Sequence, residues 1–98
     1  MKLTQIRDFL AVVESGSINA AARKLGVSQP GLTKSLGSLE AELGASLLKR
    51  APTGVTLTAL GQVFHVRVRA GYAELAKAQE ELARGAKAQV ALGFGPFF

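Results

Sequence analysis

The chain has 98 residues, 48% of them hydrophobic, and no cysteine, which fits one small domain with an extension and excludes a disulfide framework or thiolate metal sites. It carries 12 Lys and Arg against 7 Asp and Glu, a formal charge of +5, which suits a polyanionic partner such as nucleic acid. Met1-Lys2-Leu3 turns polar at once instead of running into a signal-peptide apolar segment, and no run approaches transmembrane length, so a cytoplasmic location without a membrane partner is expected.

Ile6, Phe9, Leu10 and Val13 recur at helical spacing and predict a first helix from about Thr4 to Glu14, capped by Thr4 and followed by Gly16. Ser17 is the N-cap expected of a second, shorter helix, with Ile18, Ala21, Ala22 and Leu25 on its apolar face. The small side chains of Ala20 to Ala22 let another helix approach closely. Only Gly26, Val27 and Ser28 separate this helix from the next, the short Gly-containing turn of a helix-turn-helix. Ser28 caps the third helix, Pro30 fits its first turn, and Gly44 ends it. Leu32, Leu36, Leu39 and Leu43 share one face of that helix. The opposite face, Gln29, Pro30, Thr33, Lys34, Gly37 and Ser38, is polar, small and nearly uncharged.

Over residues 47–58 the period changes: Val55 and Leu57 alternate with Gly54, Thr56 and Thr58 as in a half-buried strand. Ala51-Pro52-Thr53-Gly54 favours a type I turn, so two short strands form a hairpin, or wing. From Thr58 to about Lys87 the pattern is helical again, roughly 40 Å of helix. Leu60, Phe64, Val68, Tyr72, Leu75, Gln79 and Leu82 form its stripe. A helix this long cannot bury such a stripe on so small a domain, which predicts pairing with a second copy. Gly71 weakens it locally. In the final AQVALGFGPFF, Val90, Leu92 and Phe94 alternate as in a strand. Such an apolar tail either pairs within an oligomer or begins a further part of a longer protein.

With these pieces in order, the run from Gln5 through Gly61 resembles the N-terminal domain of LysR-type transcriptional regulators. The resemblance extends over residues 1 to about 87. It is carried by Phe9-Leu10-Ala11-Val12, Gly16-Ser17, Ala21-Ala22, Leu25, Ser28-Gln29-Pro30, Leu39-Glu40, Leu43-Gly44, Leu47-Leu48, Arg50, Leu57-Thr58 and Gly61. It implies a mainly α fold: a winged helix-turn-helix of three helices and a two-stranded wing over residues 1–58, with the helix-turn-helix at about 18–37, then a linker and dimerisation helix over 59–87. Residues 88–98 would begin a C-terminal effector domain, since QVALGFG is similar to its first strand. The implied partners are double-stranded operator DNA and a second copy of the chain, held through Leu60, Phe64, Val68, Tyr72, Leu75 and Leu82, with a tetramer in the full-length protein. No cofactor is expected in this fragment; a small-molecule effector belongs to the missing C-terminal domain.

The major groove admits one α-helix and shows each base pair a distinct donor and acceptor pattern. By resemblance, Gln29, Pro30, Thr33 and Lys34 face that groove. Gln29 can pair bidentately with adenine, Pro30 can meet a thymine methyl, Thr33 can donate or accept, and Lys34 can reach guanine or a phosphate. Ser28 is first a cap, in a position that also suits a phosphate. Arg23, Lys24, Lys49 and Arg50 are further phosphate candidates, and Arg50 serves equally well as an anchor of the wing. Thr53 stands where the family often has an arginine that enters the minor groove, and Gly37 where it often has a longer polar or basic residue. Both departures predict fewer cationic contacts per subunit. The sequence points away from an enzyme: His65 is its only histidine, Glu40, Glu42, Glu80 and Glu81 read as solvated or ion-paired, and GFG near the end lacks the helix of a phosphate loop. The rival reading is a helical dimerisation module with a basic surface and no specific DNA binding.

Overall fold

Side-chain caps decide where the first helices begin. In the computed structural model, which describes residues 1–92 and side chains through Gly85, α1 spans Leu3–Ser15, α2 Ile18–Leu25 and α3 Gln29–Leu43. Ser17 Oγ accepts from the Ala20 N–H at 3.0 Å and Ser28 Oγ from the Gly31 N–H at 3.1 Å, as expected of N-caps. Thr4 does not cap α1. The helix starts earlier, because Gln5 Oε1 reaches back to accept from the Lys2 N–H at 2.7 Å and satisfies a donor the helix itself leaves open. Between α2 and α3 the chain turns at Gly26, whose φ of +70° lies where a side chain is strained.

α1 packs against α2, α3, β2 and α4. Phe9 and Val12 of α1, Ile18, Ala21 and Ala22 of α2, Leu32, Leu36 and Leu39 of α3, and Leu47 form the buried core. Each large aliphatic or aromatic side chain here contributes about 1.5–3 kcal/mol by leaving water. Leu43, the fourth leucine of the α3 stripe, is 40% exposed. It sits past the core in the last turn, on a shallow apolar groove with Leu47, Leu60, Val63 and Phe64.

β1 (Leu48–Ala51) and β2 (Gly54–Leu57) pair antiparallel, with Leu48 opposite Leu57, Arg50 opposite Val55 and Ala51 opposite Gly54. Leu48, Val55 and Leu57 rest against the core while Lys49, Arg50 and Thr56 face out. The Val55 N–H donates to the Gly16 carbonyl at 2.9 Å, which pins the wing to the turn between α1 and α2.

α4 (Ala59–Leu92) has 34 residues, about 50 Å of helix, and sets the longest dimension of 55 Å. It passes Gly71 unbroken and runs beyond Lys87 through Val90 and Leu92, where alternation predicts a strand. A strand needs a neighbour for its backbone, whereas extending an existing helix adds one bond per residue fixed. Phe94 and the rest of 93–98 lie outside the described residues.

Part of the α4 stripe packs within the chain. Phe64 and Val68 pack against the protein's own core, and Tyr72 is half-buried in a groove of about 300 Å³ with Leu3, Thr4, Arg7, Leu75 and Gln79. Leu60, Leu75 and Leu82 remain exposed. Helical spacing identifies a common face but not what covers it, and the first turns of this face are covered by α1.

Candidate nucleic-acid interface

Because Leu32, Leu36 and Leu39 turn inward, the other face of α3 turns out. Ser28, Gln29, Pro30, Lys34, Gly37 and Ser38 are exposed and Thr33 is half-buried. The structure thus gathers Ser28, Gln29, Pro30, Thr33 and Lys34 at the start of one helix. Ser28 is engaged as a cap through its oxygen lone pair, and its hydroxyl proton stays available to a phosphate.

Arg50 and Thr53 belong to a second element. Arg50 is exposed on β1, and among the described residues its guanidinium makes no hydrogen bond or ion pair, so the wing is held by the backbone bond to Gly16 and not by Arg50. Thr53 is exposed in the two-residue loop with Pro52. Of the flanking cations, Lys24 is paired with Glu14 at 3.1 Å on the surface, a weak contact. Arg23, Lys34 and Lys49 are exposed and, among the described residues, have no carboxylate within ion-pair reach. The outward face at the start of α3 therefore carries amide, hydroxyl and apolar groups around a single ammonium, with further cations on neighbouring elements.

Polar contacts between elements hold this surface in place. Asp8 on α1 is 6% exposed; its Oδ2 accepts from Ser35 Oγ on α3 at 2.7 Å, and its Oδ1 from Arg7 Nη2 at 2.8 Å. Glu40 Oε2 accepts from the Leu47 and Leu48 N–H groups at 2.7 and 3.1 Å and ties the end of α3 to the start of the wing. Thr58 Oγ1 donates to the Ser46 carbonyl at 2.6 Å and accepts from the Gly61 N–H at 2.9 Å, capping α4 beside the same junction.

Sequence reading passed over Asp8 and left Glu40 with the solvated or ion-paired carboxylates. The available signal was Asp8's position, three residues before Ala11 and four before Val12, on the buried side of α1. Glu42 does ion-pair, with the Met1 ammonium at 2.8 Å; that hydrogen bond and charge hold its carboxyl below the usual range. Glu80 pairs with Arg84. His65 is half-buried, its ring 6.2 Å from that of Phe9. Among the described residues no cluster of three His, Cys, Asp or Glu is placed to hold a metal, and no helix is long and apolar enough to cross a membrane.

Three helices with a tight turn before an outward-facing third, a two-stranded wing and a long trailing helix define a winged helix-turn-helix protein. Residues 3–62 match the family described as bacterial regulatory helix-turn-helix protein, lysR family, and the chain belongs to that family. It is similar to the HTH-type transcriptional regulator TcbR of Pseudomonas sp. (strain P51), 47% identical over 64 residues, 65% of this chain and 22% of that protein. It is also similar to the nitrogen assimilation regulatory protein nac of Escherichia coli (strain K12), 32% identical over 99 residues, 98% of this chain and 32% of that protein. The chain thus spans between 22% and 32% of the length of these relatives. Among solved structures, the CbnR DBD–DNA complex superposes with a TM-score of 0.77 at 41% identity, over 89% of this chain and 99% of that one. The full-length Vibrio cholerae virulence activator AphB gives 0.77 at 32% identity, over 84% of this chain and 28% of that one.

Proposed function

We propose that this chain is the operator-reading part of a non-enzymatic, cytoplasmic bacterial transcriptional regulator that lays α3 in the major groove of double-stranded DNA. The observation that carries this reading is the outward face of α3, where Gln29, Pro30, Thr33 and Lys34 stand together over a Ser28-capped N-terminus. Gln29 and Thr33 present base-edge donors and acceptors, Pro30 an apolar surface, and Lys34 a charge. Arg50 and Thr53 meet the backbone or the minor groove from the wing. The protein–DNA complex of the similar CbnR domain supports the same use of this fold.

Residues 1–58 form the DNA-binding unit and 59–87 the dimerisation helix. Two copies, joined through the exposed Leu60, Leu75 and Leu82 of α4, set two recognition helices on an interrupted inverted repeat at spacings near multiples of ~34 Å. Residues 88–98 lead into a domain that binds a small-molecule effector, and the full-length protein forms tetramers. A pure dimerisation module would leave the capped turn at Gly26 and the wing without a use. Electrophoretic retardation of DNA from upstream of the protein's own gene tests the reading: selective, salt-sensitive retardation is expected, and equal retardation of random DNA at moderate salt would overturn it.

A further inference from the structure

Leucines hold the inner face of α3, and apolar contact is non-directional. A leucine stripe alone leaves α3 some freedom to roll about its own axis. At a side-chain radius of 5–6 Å, a roll of about 10° moves a reading atom by about 1 Å, enough to spoil a bidentate base contact.

A directional contact opposes that roll beside Thr33 and Lys34, as the bonds of Glu40 and Glu42 do at the far end of the helix. Ser35 follows Lys34 directly and stands two residues after Thr33. Its hydroxyl donates to Asp8 Oδ2 at 2.7 Å across 27 residues of sequence. Asp8 is itself held: its other oxygen accepts from Arg7 Nη2 at 2.8 Å and Nε at 3.1 Å, and its side chain is 8% exposed. It joins the middle of α1 to the middle of α3, while Met1 and Gln5 meet Glu42 at the exposed far end of α3. A hydroxyl donating to a carboxylate is among the stronger and more directional hydrogen bonds.

We propose that Asp8 is a positioning residue for base reading: through Ser35 it fixes the roll of α3 and thereby where Gln29, Thr33 and Lys34 stand in the groove. It touches no base itself. The proposal rests on the DNA-reading function above.

The test begins with selection of a preferred duplex from random DNA by the unaltered protein. Dissociation constants for that duplex and a scrambled one are then measured for the wild type, Ser35→Ala, Ser35→Thr and Asp8→Asn, with salt slopes and thermal melts. Ser35→Ala should keep its affinity for scrambled DNA and its salt slope, since phosphate contacts persist, and lose about threefold to tenfold in discrimination. Ser35→Thr, which keeps the hydroxyl, should restore discrimination, and Asp8→Asn, whose neutral amide oxygen accepts more weakly than a carboxylate, should lose part of it in the same direction. Asp8→Asn carries the test if Ser35→Ala fails to fold. Unchanged discrimination in both Ser35→Ala and Asp8→Asn, whatever their melting temperatures, would reduce the contact to bare stability and overturn the proposal. Parallel losses on both duplexes would overturn it too. A wild type that selects no duplex would remove base reading itself, an outcome visible without any variant.

Discussion

The ring of Phe9 in α1 meets the ring of Phe64 in α4 edge-on, with centroids 5.2 Å apart and planes at 70°. The first turns of the long helix therefore pack onto the same core and are not a free arm. This contact separates two roles along one stripe. Phe64→Ala should destabilise the domain by about 2–3 kcal/mol, and the loss should not depend on protein concentration. Leu82→Ala, at a position 72% exposed, should leave the domain's own stability unchanged and weaken self-association. Urea denaturation at two protein concentrations, with sedimentation equilibrium, checks both.

The start of α4 is fixed as closely as its stripe. A Cβ on Gly61 would fall onto the Leu47 backbone carbonyl, the same oxygen that accepts from the Thr58 N–H at 3.0 Å. Backbone cannot rotate aside as a side chain can. Gly61→Ala should cost about 2 kcal/mol or more and shift α4 relative to α3. Gly71→Ala, where a Cβ meets nothing within 4 Å, should instead stabilise the helix by about 0.5–1 kcal/mol. Thermal melts of the two variants should move in opposite directions.

Gly37 offers a way to separate stability from binding. It lies on the exposed face of α3, three residues after Lys34, and a Cβ there meets nothing within 4 Å. Nothing inside the protein requires a glycine at this position. Gly37→Ala should raise stability by about 0.5–1 kcal/mol. Gly37→Glu should also fold at least as stably as the native protein, yet lose DNA affinity through repulsion by the phosphates. Denaturation curves and binding isotherms on the same samples check the two halves. Undiminished DNA binding by Gly37→Glu would place this face away from the groove.

Lys34 is the one cation on α3, so its loss is informative in either of two ways. If its ammonium meets a phosphate, Lys34→Ala should weaken binding to all duplexes alike and lower the log–log salt slope by about 1. If it reads guanine, the slope changes little and about 1–3 kcal/mol of discrimination is lost at one base pair. Salt titrations on duplexes substituted one pair at a time distinguish these, and no change in either quantity would remove Lys34 from the interface.

The helices and their turn were legible because their signals are local. Ser17 and Ser28 announce caps that the structure forms, Gly26 marks the turn, and three of the four α3 leucines reach the core. What was not legible depends on partners far along the chain. Asp8 finds Ser35 27 residues away, and Glu40 finds the backbone of Leu47 and Leu48 after the next turn; no periodicity reveals either. The α4 stripe could be drawn from spacing, but which of its residues pack against Phe9 and which stay exposed could not. The alternation of Val90 and Leu92 suits a strand only where a sheet is present to receive it. At the site, the leucine spacing placed Gln29, Thr33 and Lys34 on the face away from the core, where the structure has them.

The most direct measurement is the ratio of dissociation constants for a duplex selected by the protein and a scrambled duplex of equal length, at about 0.15 M salt. A groove-reading α3 predicts a ratio of about 10³ or more, falling toward one when Gln29, Thr33 and Lys34 are all replaced by alanine. A ratio near one for the unaltered protein would contradict sequence-specific reading and leave only a basic surface that holds DNA by charge.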